Sequence, residues 1–470
     1  HLAFGYASGD QTLFRGIRKL MPGHTLRLKL DAPRPALRIT RYWDVPEPDS
    51  SAQARDDASW IRECRERVAE TVRMRLMSDV PLGMFLSGGV DSSTIAALMK
   101  RLTSGPVMTF AVGYKESAHS ELDYAARVAS AIGTRHHSVT VGMEDFFDAL
   151  PRLIWHEDEP ITWPSSVSLN FVSQLAAKHV KVVLTGEGSD EIFGGYSRYH
   201  LYALNQDANR FYGLAPEGLR AWIRRSVATS RLLSAGFRRK LQHTIVGREP
   251  GLVPLYLDNF YCAFPESQQR RIFTAPEEAS VYEQYLRYFE TGAGRSPLGR
   301  MLYADQKTYL VELLMKQDQM SMACSIESRV PFLDHPLVEF AASVPDRLKV
   351  RGGQGKYILK KAVEDLLPAD IIYRRKMGFP TPIREWLLDA RAARIYECLR
   401  DPGGLLAAYT SRAELNTLLD RHLGGVEDAT DRIWRLLCFQ IWGDLFLTGR
   451  ADRYGEDAWQ AGAYAAGPGS

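Results

Sequence analysis

The chain has 470 residues, 45% of them hydrophobic and 24% charged, with a net charge of +3 at pH 7. That length accommodates two or three domains, and the composition is that of a globular protein rather than a disordered or fibrous one. Charge this balanced argues for neither a nucleic-acid nor a membrane partner, and no run of apolar residues reaches the length of a membrane span.

Residues 1–45 carry short apolar–polar alternations, as in Thr25-Leu26-Arg27-Leu28-Lys29-Leu30, broken by Gly9-Asp10 and Pro22-Gly23. The pattern predicts a strand-rich piece too small to bury its own core. Residues 46–57, with Pro46 and Pro48, read as a linker. From Ala58 the period becomes helical through Ile61, Cys64, Val68, Val72 and Leu76. A strand at 83–86, a helix at 92–102, a strand at 107–112, a helix at 121–132 and a strand at 137–141 follow. Helices near 144–153 and 166–178 then precede a strand at 180–184. Alternation of this kind predicts an α/β fold, a parallel sheet flanked by helices, with ligands at the carboxyl ends of its strands. Beyond about residue 197 the chain reads almost wholly helical, and residues 451–470 read as a flexible tail. The five cysteines, Cys64, Cys262, Cys324, Cys398 and Cys438, lie far apart without metal-ligand spacing. Most of them read as core thiols of a cytoplasmic protein.

Two strand ends carry chemistry. Ser87-Gly88-Gly89-Val90-Asp91-Ser92-Ser93 follows the strand Met84-Phe85-Leu86 and opens a helix. Backbone N–H groups at such a helix start, together with the three hydroxyls, make an anion site, and the glycines let a phosphate approach. Asp91 would repel a phosphate unless a cation lies between them, which suggests Mg²⁺. No lysine follows the glycines, so this is not a Walker A loop. The second end is Thr185-Gly186-Glu187-Gly188-Ser189-Asp190-Glu191. Its three carboxylates would repel one another if left unpaired, and a metal-bound nucleotide would relieve that.

The first loop resembles the pyrophosphate loop of ATP pyrophosphatases. Two further segments join the pair: Leu314-Met315-Lys316-Gln317-Asp318-Gln319-Met320 continuing through Ser325-Ile326-Glu327-Ser328-Arg329-Val330-Pro331-Phe332-Leu333-Asp334, and Gly355-Lys356-Tyr357 followed by Tyr373-Arg374-Arg375-Lys376-Met377-Gly378. Together the four motifs resemble the synthetase half of glutamine-dependent asparagine synthetases over roughly residues 1–450. Glu157-Asp158-Glu159-Pro160 and Trp434–Trp442 fit bacterial members. The resemblance implies an adenine nucleotide alpha-hydrolase-like sheet over residues 58–450, with a large helical C-terminal part. It also implies a cytoplasmic ligase that uses ATP and Mg²⁺ to adenylate aspartate and transfers ammonia to give asparagine, AMP and PPi. Under it, Leu86, Ser87, Gly88, Gly89, Asp91, Ser92, Ser93, Val112, Thr185 and Gly186 bind ATP and pyrophosphate. Asp91 and Asp190 hold the metal, Glu187 positions or deprotonates ammonia, and Lys376 stabilises charge on the α-phosphate. Leu86 and Val112 read equally as strand core. Lys316 is open between the site and a solvated helix face. Asp318, Glu327, Arg329 and Asp334 read as a structural ion network below the site, and Gly352-Gly353-Gln354-Gly355-Lys356 as a surface turn before a helix.

Members of that family begin with a glutaminase domain whose nucleophile is an N-terminal cysteine. Here residue 1 is His, and residues 1–45, with Phe4-Gly5-Tyr6 and Thr12-Leu13-Phe14-Arg15-Gly16, resemble only the end of that domain. The expectation is a fragment without glutaminase activity, supplied with ammonia by a glutaminase domain in cis or trans or from solution. The resemblance leaves room for a homodimer. A related amidotransferase or cyclase that adenylates another carboxylic acid is the alternative. A non-catalytic nucleotide-binding protein is disfavoured, because Asp91, Glu187, Asp190 and Lys376 are all present.

Overall fold

The computed structural model describes residues 1–30, 36–49, 54–116, 120–230, 233–274, 280–374 and 381–455. Near the start, β1 (His24–Lys29) and β2 (Ala36–Arg41) pair antiparallel with Leu26 opposite Ile39 and Leu28 opposite Leu37. Both strands are solvent-exposed on nearly every residue. The segment before them is tied down instead: Ala3, Phe4 and Tyr6 are buried, and the Ala263 N–H donates to the Ala3 carbonyl at 2.9 Å.

Helix α1 (Asp57–Arg75) starts where the Asp56 carboxylate accepts from the Ser59 N–H at 2.8 Å, an N-cap bond that satisfies an orphan donor. Then β3 (Leu82–Phe85), α2 (Val90–Leu102), β4 (Met108–Tyr114), α3 (Leu122–Ile132) and β5 (Arg135–Val141) alternate as expected. Two helices, α4 (Met143–Glu157) and α5 (Ser165–Ala177), lead to β6 (Val182–Leu184) and the short α6 (Ser189–Phe193). The sheet is parallel with order β5-β4-β3-β6-β7, where β7 is Glu327–Arg329. The chain moves outward from β3 to β5 and then crosses to the other side of β3, so β3 and β6 flank a topological switch point.

Strand alternation splits the core between the two faces. Phe110, Val112 and Val183 pack with Phe146, Trp386 and Trp434, whereas Met84, Ala111 and Leu184 pack with Val68, Ile95 and Phe332. A third cluster is built on tyrosines around Asp305, which takes the Arg198 guanidinium at 2.9 Å and hydroxyls of Tyr199, Tyr256 and Tyr261 at 2.6, 3.0 and 2.6 Å. A fully buried carboxylate needs such a full set of donors.

Beyond residue 197 the chain is almost wholly helical, as expected, with three short strands among the described residues: β7 completes the sheet, and β8 (Val350–Arg351) pairs with β9 (Gln354–Gly355) around the Gly352-Gly353 turn. Two expectations need correction. Of the four charged residues of the expected ion network only Glu327 and Arg329 pair with each other. Arg75 binds Asp334 at 2.7 Å, Arg329 binds Glu327 at 2.7 Å, and Asp318 is exposed and apart from both. The Arg329 guanidinium also donates to the Arg75 and Met77 carbonyls at 2.8 and 2.7 Å, so it fastens the end of α1 to the sheet edge. Finally, Ala451–Tyr454, assigned to the tail, forms a turn of 3-10 helix whose Tyr454 hydroxyl donates to Asp444 at 2.8 Å. No two cysteines form a disulfide among the described residues.

Candidate active site

The turns after β3 and β6 face each other. Gly88 has φ 73°, and a Cβ there would lie 2.8 Å from the Tyr124 backbone, so only glycine serves at this bend. The Ser87 and Ser92 hydroxyls lie 3.1 Å apart, and the Gly89 N–H donates to Ser87 Oγ at 3.3 Å, which holds the loop closed around the start of α2. Across from it, a Cβ on Gly186 would come within 3.0 Å of Asp91 Cβ and the Ser92 nitrogen. The two turns are therefore in backbone contact, although their residues are nearly a hundred positions apart.

Ser87, Asp91, Ser92, Thr185, Gly186, Glu187 and Asp190 line one cavity of about 490 Å³, with Leu86 and Val112 in its floor. Leu86 and Val112 also belong to the two core faces, as their strand-core reading expects. Ser93 is fully buried and does not reach the cavity surface, while Gly88 and Gly89 shape the loop from behind. Lys376 lies outside the described residues.

The acidic cluster is neutralised differently from the sequence expectation. Lys356 Nζ lies 2.5 Å from Asp91 Oδ2 and 2.8 Å from Asp190 Oδ1, and Ser189 Oγ donates to Asp91 Oδ1 at 2.7 Å. Glu191 turns away and accepts from the Tyr196 hydroxyl at 2.5 Å. Glu187 has Lys316 Nζ at 4.0 Å. Two lysines and a tyrosine thus take up the repulsion that the sequence assigned to a metal-bound nucleotide. Burial works against the charge of Lys356, but Asp190 and then Asp91 hold its pKa above the ordinary lysine value. Lys316 is only 6% exposed and lines the cavity, so it is not on a solvated helix face. Lys356 was visible in the sequence as part of a motif, yet the glycines before it read as a surface turn. That turn is real, and the lysine that follows it adopts φ 56° and points inward.

No group of three or more His, Cys, Asp or Glu cages an ion among the described residues. Asp91 and Asp190 nonetheless converge on one cation, and two carboxylates are the usual protein share of a Mg²⁺ site when phosphates supply the other oxygens.

Sequence reading missed the opposite wall. Trp163, Tyr196 and Tyr309 line it, with Tyr309 edge-on to Trp163 at 5.4 Å and to Tyr196 at 5.9 Å between centroids. Arg198 supports this wall from below, 3.9 Å from the Tyr196 ring centroid. At the rim, Arg374 binds Glu121 at 2.7 Å. Behind Lys316, Lys19 of the N-terminal segment binds Glu312 at 2.9 Å and Glu159 at 3.6 Å. Burial pushes the neighbouring Glu157 carboxyl up to about 8, against the pull of Lys316.

A sequence profile described as asparagine synthase matches residues 63–444. The chain belongs to the asparagine synthase family. It is therefore a carbon–nitrogen ligase. It is 31% identical over 455 residues to "Asparagine synthetase [glutamine-hydrolyzing] 1" of Bacillus subtilis, covering 96% of this chain and 68% of that protein. It is 35% identical over 455 residues to "Putative asparagine synthetase [glutamine-hydrolyzing]" of Mycobacterium bovis, covering 94% and 66%. "Amidase chyE" of Penicillium rubens is 28% identical over 422 residues, covering 80% and 60%. The chain thus spans about two thirds of the length of its asparagine synthetase relatives. No helix among the described residues is long and apolar enough to cross a membrane.

Proposed function

We propose that this chain uses ATP to adenylate a carboxylic acid, aspartate in the first instance, and passes ammonia to the acyl carbon, giving asparagine, AMP and pyrophosphate. The observation that carries this reading is the meeting, in one cavity, of the Ser87–Ser93 loop, the Asp91–Lys356–Asp190 bridge and the Glu187–Lys316 pair. The loop offers N–H and hydroxyl donors to the pyrophosphate leaving group at the start of α2. The acid's oxygen attacks the α-phosphorus, and the α–β phosphoanhydride bond breaks with its electrons going to pyrophosphate. Lys356, behind the cavity-lining Asp91 and Asp190, is assigned the offset of charge on the departing oxygens, the kind of term that commonly dominates such steps. Mg²⁺, held by Asp91 and Asp190, would add positive charge at the same oxygens. Glu187 takes a proton from the attacking ammonia, the work of a general base, and Lys316 keeps that carboxylate oriented. Lys376 is assigned to the α-phosphate by family resemblance. Ammonia comes from solution or from a glutaminase portion in cis or trans.

Full chain incubated with ATP, Mg²⁺, aspartate and ammonium should release AMP and pyrophosphate in step with asparagine. ADP and inorganic phosphate as products would overturn the assignment of cleavage between the α- and β-phosphates.

A second acid is favoured by one feature. Lys316 is the one lysine or arginine lining the cavity among the described residues, and it already faces Glu187, whereas the wall is aromatic. Aspartate carries a second carboxylate that asks for a cation, while an aromatic acid asks for such a wall. Pyrophosphate exchange compared between aspartate and benzoate separates the two: exchange with benzoate alone removes aspartate as the substrate.

A further inference from the structure

A second cavity, of about 360 Å³, lies beyond α6: Asp190 lines the first cavity and Ile192 the second. The eleven-residue helix Pro297–Lys307 begins at its edge, with Ser296 Oγ accepting from the Gly299 N–H at 3.0 Å and both residues lining the space. The positive end of the helix dipole therefore opens into it. The cations around the cavity differ in one respect. Arg295 is satisfied by Glu47 at 2.8 Å and by the Val45 and Pro46 carbonyls at 2.8 and 3.0 Å, and Arg347 is paired with Asp57 at 2.9 Å. Lys349, only 3% exposed, also lines the cavity, yet its ammonium makes no hydrogen bond or ion pair within bonding distance among the described residues. A largely buried ammonium without a protein partner is costly. Burial lowers its pKa to about 8, with Asp346 opposing and Arg295 adding repulsion. Ile192, Leu302 and Val344 give the wall an apolar part, beside the polar Gln306, Ser343 and Asp346.

We propose that this cavity binds a small organic anion, its carboxylate or phosphate head on Lys349 and on the Ser296 hydroxyl at the start of the helix Pro297–Lys307, its apolar body against Ile192, Leu302 and Val344. The head neutralises the one cation lining this cavity that has no partner among the described residues, and it accepts from the Ser296 hydroxyl, whose oxygen already takes the Gly299 N–H. The space exceeds a bare head group, which is why the ligand carries a body. The site stands independently of the ligase reading.

Isothermal titration of the full chain with butyrate and, separately, with butyl phosphate tests this and distinguishes the two head groups. At least one probe should bind the wild type saturably. Lys349→Met should weaken that binding by roughly tenfold or more, the usual loss for one charge-assisted contact. Ala342→Met keeps the lysine but takes up cavity volume, and it should weaken binding as well; it decides the matter alone if Lys349→Met does not fold. Absence of saturable binding of both probes to the wild type, or wild-type affinity in either folded variant, overturns the proposal.

Discussion

Lys356→Met removes the ammonium from between Asp91 and Asp190 while keeping the side-chain volume. The two carboxylate oxygens sit 2.5 and 2.8 Å from that nitrogen, so they can be no further apart than those two distances laid end to end. At a separation of about 5 Å and an effective dielectric of about 20, the exposed repulsion is roughly 3 kcal/mol. Removing one partner of a buried ionic set costs about 3–5 kcal/mol in general, and the two figures agree. The variant should therefore unfold at markedly lower urea concentration with an unchanged m-value. Millimolar Mg²⁺ should restore part of the loss in the variant and little in the wild type, because a divalent ion then supplies the missing charge. Urea midpoints measured with and without Mg²⁺ check both statements. A Lys356→Met protein within about 1 kcal/mol of wild type would refute the claim that this lysine holds the acidic turns together.

Other outcomes follow from the same reasoning. Glu157 keeps its proton in the folded state up to about pH 8, whereas the unfolded chain loses it near the ordinary glutamate value. The native state therefore binds more protons between those limits, and stability falls as pH rises through them. Glu157→Gln should be stabilising by an amount that grows toward pH 8 and then levels, at most about 5 kcal/mol from the size of the shift; a gain independent of pH in denaturant titrations would remove that account. Asp305→Asn leaves the Arg198 guanidinium buried without its counter-ion and should cost about 3–5 kcal/mol, read as a fall in urea midpoint. Glu187→Gln should lower amide formation by about 10²-fold or more while pyrophosphate release persists, the size expected of a lost general base. Equal loss of both products would place Glu187 in the adenylation step instead.

The βα alternation was legible because β3, β4 and β6 are runs of buried apolar residues with helical periods between them. Ends were less so: α4 runs through Pro151 to Glu157, four residues past the expected stop, because Leu153 and Ile154 are buried on its inner face. The strand β7 carries Glu-Ser-Arg, with no pattern of its own, and exists because Lys181, Thr185 and their neighbours pair with it. Local sequence cannot announce a strand whose stability is entirely non-local. The aromatic wall was hidden for a related reason, since Trp163, Tyr196 and Tyr309 come from three separate stretches of chain and share no period.

The acidic turn shows where motif reading reaches its limit. Glu187, Asp190 and Glu191 are close in sequence, so their mutual repulsion is visible there, but the groups that answer it are not. Lys316 arrives from the helix Tyr309–Met322 and Lys356 from the position after β9, 265 residues from Asp91. Counting only neighbouring residues, the cluster demanded an external ion; with the folded chain in view, an ammonium already joins its Asp190 to Asp91 of the facing turn. Any divalent ion recruited by the nucleotide must therefore share Asp91 and Asp190 with Lys356 or move it aside.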